Sequence, residues 1–363
     1  MALSWAAASA PGPVEAPRPL RPVRVAVAGL EGAGIAHLAA LAMVPDCTLA
    51  GVVDSDSRRA ATARGMGFHV PRYADTRALL AKERPDALII AAPPDRHLAL
   101  AGPALSAGVP VLLNRPLAHT LADAEALVSA AAAANVPLAC AHTLAYDPVF
   151  DAANNAVHSG AIGVIGQARS SMYVSEVFAA RKGWRYDPAR SGGGVVANLS
   201  IDVLFLLDWM LGPMVEARAT WNKLYGEAED ELHGMMKLAS GSEVGLDSSW
   251  SVPGYRRSAV VIEIEGSNGR LLVSDDAFEL ELAAGRGLWS AGHTRRGRGE
   301  LPHPARFDCD GEALYLQDAM FLAWVTGGPE PPSSGAAALR AQRVMDALYR
   351  SAAKGGTTVE VAG

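Results

Sequence analysis

Asn198 and Asp202 lie four residues apart, just after a triple glycine, in Gly192-Gly193-Gly194-Val195-Val196-Ala197-Asn198-Leu199-Ser200-Ile201-Asp202. That spacing puts both polar groups on one face of a helix, with Phe205 following on the same side. Val195, Val196, Leu199, Val203, Leu206 and Leu207 surround them, so the helix is apolar nearly all round and is expected to be buried. A buried carboxylate needs a cation, a donor, a proton or a solvated cleft. Asp202 is therefore a candidate general acid or base. Arg115, in Asn114-Arg115-Pro116-Leu117, is the candidate cation. It can form a structural ion pair with Asp202 or anchor a substrate oxyanion or carboxylate. A guanidinium keeps its proton, so Arg115 cannot be the base of an alcohol dehydrogenation. Tyr146 is a candidate proton donor or a buried structural tyrosine. Trp184 and Arg185, with Asp187 nearby, either line a polyol pocket or pack at a domain junction.

A second group of residues fits a dinucleotide. The β-rich run Val23–Ala28 leads into Gly29-Leu30-Glu31-Gly32-Ala33-Gly34 and then an alanine- and leucine-rich helix, Gly34–Met43. In such a turn the first glycine allows the tight bend, the second admits the pyrophosphate, and the third lets helix and strand touch. Gly29 and Gly34 fill the outer roles, and Glu31 stands in the middle one, where its bulk and charge are expected to weaken NAD(H) binding. Asp54 follows Gly34 by about 20 residues, the spacing of a ribose-binding carboxylate. It argues for NAD, with NADP left open because Arg58 or Arg59 can reach a 2′-phosphate. His97 reads as a helix-start residue near the cofactor crevice, not a metal ligand, and no metal is expected.

These residues need a scaffold. Strand and helix signals alternate through Thr48–Val53, Ala87–Ala91, Leu98–Ala107 and Val109–Leu113, which predicts a parallel, doubly wound sheet. From about Gly166 longer strands follow one another: Gly166–Val174, Val215–Leu224, Glu231–Leu238, Val244–Trp250 and Ala259–Glu265. Gly266-Ser267-Asn268-Gly269 then turns the chain into Arg270–Val273 as a hairpin. The prediction is an α/β chain: a disordered tail over 1–22, a Rossmann domain over 23–142, and an α/β domain with a large, mostly antiparallel open sheet over 143–333. A C-terminal helix and strand over 334–363 complete it, the helix spanning Gly335–Ala353. Residues 285–306 read as a loop with Arg295, Arg296 and Arg298 solvated.

Composition excludes some classes. A net charge of −6 over 363 residues gives no basic stripe for nucleic acid. Cys47, Cys140 and Cys309 are too scattered for a disulfide framework or a zinc site and read as buried thiols. Residues 1–22 lack a secretory signal and a twin-arginine pair, and no apolar run is expected to approach the roughly 18 residues of a membrane span. The expectation is a cytoplasmic protein with no membrane partner.

In order along the chain, Gly29 to His37, Ala92-Pro93-Pro94-Asp95-Arg96-His97, Ala107-Gly108-Val109-Pro110-Val111, Asn114-Arg115-Pro116-Leu117, Trp184-Arg185, the triple glycine and Leu339 to Gly355 resemble the glucose-fructose oxidoreductase / inositol dehydrogenase / rhizopine catabolism (Gfo/Idh/MocA) family. The resemblance implies a Rossmann domain, a second domain whose open sheet makes a homo-oligomer (dimer or tetramer), and NAD(P)-dependent redox chemistry on sugars, cyclitols and related small molecules. It also implies cofactor contacts from Gly29, Glu31, Gly32, Ala33, Gly34, Asp54, Pro93, His97 and Asn114. The family's Glu-Lys-Pro triplet becomes Asn114-Arg115-Pro116, and its helix aspartate and histidine become Asn198 and Asp202. All four positions are altered. Three readings stay open: a redox enzyme with an unusual proton-transfer group, favouring reduction; a repurposed enzyme of elimination, isomerisation or cyclisation; and a nucleotide-binding sensor.

Overall fold

The computed structural model describes residues 17–302 and 311–363. Most of the expected tail, and Cys309, lie outside these. The described residues form two compact units, one of residues 17–143 and 311–339, the other of 144–302 and 340–363.

In the first unit six strands, β1 (Val23–Ala28), β2 (Cys47–Val53), β3 (Arg72–Tyr73), β4 (Ala87–Ile90), β5 (Val111–Asn114) and β6 (Leu138–Ala141), form one sheet in the order β3-β2-β1-β4-β5-β6. Every neighbouring pair is parallel. The central strands are apolar without alternation because both faces are covered. Ala26, Leu88, Ile90 and Leu113 pack with Ala104 and Leu105 of α4 (His97–Ser106) and Leu127 of α5 (Leu121–Ala134). Val25, Val27, Ile89 and Leu112 pack with Leu38 and Leu41 of α1 (Gly32–Leu41) and with Phe321 and Leu322 of α9 (Glu312–Val325). Helices α2 (Ser57–Gly65) and α3 (Thr76–Glu83) lie between α1 and α4 in the chain.

The return of α9 departs from the expected single stretch 143–333. Its buried anchor is polar: His37 Nδ1 lies 2.8 Å from Asp318 Oδ2, and neither side chain is more than 2% exposed. The last residues of the expected tail are also tied down, since the Leu20 N–H donates to Thr326 and Arg21 pairs with Asp86 at 2.9 Å.

The second unit holds β7 (Ile165–Tyr173), β8 (Met214–Asn222), β9 (Glu231–Leu238), β10 (Glu243–Ser249), β11 (Ala259–Gly266), β12 (Gly269–Ser274), β13 (Ala277–Leu282), β14 (Gly292–Gly297) and β15 (Val359–Glu360). They form a nine-stranded sheet, β14-β13-β12-β11-β7-β10-β9-β8-β15, antiparallel except where β7 meets β10. Residues 292–297, expected as loop, are an edge strand paired with β13. Arg298 is not simply solvated either; it pairs with the buried Asp147 at 2.5 Å.

Helices α6 (Pro148–His158), α7 (Pro188–Ser191), α8 (Ile201–Leu211) and most of α10 (Gly335–Ala353) belong to this unit. Residues 188–211 pass the length and hydropathy test for a membrane span, contrary to the expectation that no run comes near it; but 89% of the apolar window is buried, the property of a core helix.

Candidate functional site

The residues expected to contact a nucleotide lie at the carboxyl ends of β1, β2, β4 and β5, around the point between β1 and β4 where strand order reverses. In open parallel sheets that crevice takes the ligand. Gly29 has φ +88°, and a Cβ there would stand 2.7 Å from Ala92 N. A Cβ on Gly34 would collide with the Gly29 carbonyl, so this glycine is what lets α1 meet the turn. Gly32 and Ala33 open α1, and nothing within 4 Å faces the Cβ position of Gly32. Backbone N–H groups at a helix start over open space suit a pyrophosphate. The residues present therefore fit a dinucleotide, with Glu31 as the one intrusion.

Glu31 is the N-cap residue of α1 but its side chain makes no capping bond. Its carboxylate pairs instead with Arg59 of α2 at 2.7 Å. Asp54 accepts from the N–H of Leu30 and of Asp56, both at 2.8 Å. Pro93 precedes a turn of 3₁₀ helix, Pro94–Arg96, and Asn114 ends β5. His97 is the first residue of α4 and fully buried, its ring 2.9 Å from the carbonyls of Leu117 and of Ala92. Burial holds this imidazole below its ordinary value, opposed by the carbonyls of Leu117, Ala92 and Pro116. It thus staples the segment after β4 to the one carrying Asn114 and Arg115. Arg115 is half-buried and joined to Pro116 by a cis peptide.

In the second unit the segment with Asn198 is not plain α-helix. Val196–Ser200 is a π-helical turn that runs into α8, a local widening often found at functional sites. Asn198 and Asp202 are each 7% exposed, as the apolar surround predicts. The Asn198 amide donates to the carbonyls of Gly194 at 2.9 Å, Arg185 at 3.0 Å and Gly193 at 3.3 Å. An aspartate has no proton to share among three carbonyls, which accounts for asparagine here. The same bonds tie Arg185 to the helix, while its guanidinium lies 3.1 Å from Glu176, which also accepts from Tyr186 at 2.8 Å. Trp184 stands beside it, partly exposed, and Tyr146 is buried at the start of this unit.

Two residues that sequence reasoning missed hold the π turn. Glu229, 2% exposed, accepts from the N–H of Gly194 at 2.6 Å and of Val196 at 3.1 Å, and from the Tyr349 hydroxyl at 2.7 Å. Tyr349 in turn accepts from the Ala197 N–H at 3.1 Å. Burial raises the Glu229 carboxyl, while the bonds from Tyr349, Val196 and Gly194 oppose it; burial and the Glu229 charge raise Tyr349 well above the ordinary phenol. The glycines follow from this clamp. A Cβ on Gly193 would strike Tyr349, and one on Gly194 would strike Glu229. The triple glycine was the signal that something packs against its backbone, but not what. Among the described residues, no group of three or more His, Cys, Asp or Glu could hold a metal ion.

Residues 23–142 match the family model described as oxidoreductase family, NAD-binding Rossmann fold, and residues 150–272 match the GFO/IDH/MocA C-terminal domain. The chain belongs to the GFO/IDH/MocA family. Its fold agrees with solved members: levoglucosan dehydrogenase in complex with NADH superposes with a TM-score of 0.84 at 22% identity, over 94% of this chain and 99% of that one. Among relatives, D-apiose dehydrogenase of Paraburkholderia graminis is 28% identical over 88% of this chain and 85% of its own length. Inositol 2-dehydrogenase 2 of Paenarthrobacter aurescens is 26% identical over 94% and 99%. This is an enzyme family of NAD-dependent oxidoreductases, and NAD is the cofactor of its Rossmann domain.

Proposed function

We propose that the chain is an NAD-dependent oxidoreductase of a small polar metabolite, a sugar, cyclitol or biosynthetic intermediate, working in the direction of reduction. Relatives named for D-apiose, inositol and levoglucosan support the substrate class. The observation that carries the direction is the chemistry left at the altered positions. Arg115 keeps its proton, and Asn198 spends its amide on three backbone carbonyls, so neither can take a proton from a hydroxyl. Asp202 is the buried carboxylate that can move one.

The nicotinamide supplies or accepts hydride when bound. In this reading the role of Arg115 is to stabilise oxygen charge, that of Asp202 to supply the proton for carbonyl reduction, and that of Trp184 and Arg185 to contact the substrate. Tyr146 is the reserve proton donor. Copies associate as a dimer or tetramer through the nine-stranded sheet, which light scattering would read. The test is oxidation of NADH by the purified enzyme against a panel of keto-sugars and keto-cyclitols, compared with NAD reduction by the matching alcohols. Faster turnover of the carbonyls is expected; turnover of the alcohols alone would overturn the direction.

The concerted change of Asn114, Arg115, Asn198 and Asp202 also favours a second reading, non-redox elimination, isomerisation or cyclisation on the same frame. Product formed from substrate with no net or transient change in the nicotinamide would support it.

A further inference from the structure

The end of β2 brings together three arginines and three carboxylates. Arg58 reaches back to Asp56 at 3.1 Å, and Arg72 donates to the Asp54 main-chain carbonyl at 2.8 Å. Arg59 lies 2.7 Å from Glu31 and 3.7 Å from Asp54 Oδ1. The position of Asp54 marks it as the reader of the adenosine ribose. Its side chain, however, is only 3% exposed, and each of its oxygens already accepts a main-chain N–H. It tethers the turn after β1 to the end of β2. Two pairs stay within reach of a ligand: Glu31 and Arg59, at 35% and 42% exposure, and Asp56 with the more exposed Arg58; of these, only Glu31–Arg59 joins the glycine turn.

We propose that Glu31 sets the preference for NAD over NADP by occupying the guanidinium of Arg59, the cation beside the ribose position that would otherwise take a 2′-phosphate. The formal charges of the cluster cancel, three against three, so a phosphate finds no surplus cation. It must displace Glu31 from Arg59 and then sit next to the released carboxylate, a like-charge contact that selects against it. NAD brings a neutral 2′-hydroxyl, which can donate to Glu31 and leaves the pair intact. The residue that departs from the glycine pattern is thus a selectivity device, and Arg59 is its counterpart.

This differs in outcome from simple crowding of the pyrophosphate, which is common to both dinucleotides. NADH and NADPH should be titrated calorimetrically into wild type, Glu31→Gln, Glu31→Gly and Arg59→Ala, and into the Glu31→Gln/Arg59→Ala double variant. NADH binding by the wild type reports separately on the NAD reading itself. We expect Glu31→Gln to tighten NADPH about tenfold, equivalent to ~1.4 kcal/mol, with NADH little changed. The double variant should lose that gain. Arg59→Ala alone should bind NADPH more weakly than wild type, a readout independent of any substitution at Glu31. Equal gains for NADH and NADPH in Glu31→Gly would overturn the proposal in favour of crowding. An NADPH affinity that none of these substitutions moves would overturn it by showing that Arg59 does not reach the 2′-phosphate.

Discussion

The buried segment 192–211 and the exposed crevice around Gly29–Asp54 both depart from their family's pattern, and they absorb the departure differently. In the buried segment Asn198 is locked to three carbonyls and Glu229 to three donors. At the crevice Glu31 is answered by a half-exposed ion pair to Arg59. A partly solvated pair stabilises the fold by little, on the order of 0–1 kcal/mol. Buried polar groups must be satisfied, because each one left unpaired costs about 1–3 kcal/mol. Changes in the buried segment should therefore appear first as stability, and changes at the crevice as ligand preference.

The sharpest way to break this contrast is Glu229→Ala, which strands the N–H groups of Gly194 and Val196 and the Tyr349 hydroxyl. We expect a loss of about 3–5 kcal/mol in denaturant unfolding, several times anything seen for Glu31→Ala. Equal effects for the two would remove the distinction. Asn198→Asp restores the family residue and is expected to destabilise by about 2–4 kcal/mol, since a carboxylate would face the carbonyls of Arg185, Gly193 and Gly194. Unfolding midpoints and NADH oxidation measured together should show no gain of activity. A stable and faster variant would mean that Asn198 is a lost catalytic residue and not a structural one. Arg115→Ala should lower kcat/KM about 100-fold, or ~2.7 kcal/mol, with a much smaller change in melting temperature, and Arg115→Lys should retain part of the rate. Variants that melt far below wild type yet keep their rate per folded molecule would make Arg115 structural.

Much of this was legible in the sequence, for local reasons. The apolar runs Val23–Ala28 and Ala87–Ala91 announced buried parallel strands, and Gly266-Ser267-Asn268-Gly269 announced the hairpin between β11 and β12. The spacing of Asn198 and Asp202 in an apolar surround foretold their burial. What was hidden depends on distant partners. The strand Gly292–Gly297 carries His293, Arg295 and Arg296 and exists as an edge paired to β13, so no apolar alternation reveals it. Glu229 and Tyr349 are 35 and 155 residues from Gly194, and their meeting is set by the fold. Glu31 was legible as an anomaly, but its partner Arg59, one full βα unit later, gives it a different meaning.

The central claim, that this site reduces a carbonyl with Asp202 supplying the proton, is tested most directly by deuteride transfer. NADH deuterated at the transferring position should be given to wild type and Asp202→Asn with the best carbonyl substrate, and label followed into the product. We expect the wild type to place deuterium on the former carbonyl carbon, and the Asn variant to bind NADH equally well but transfer label roughly 100-fold more slowly. Equal transfer by the two proteins, or product without deuterium, would contradict it.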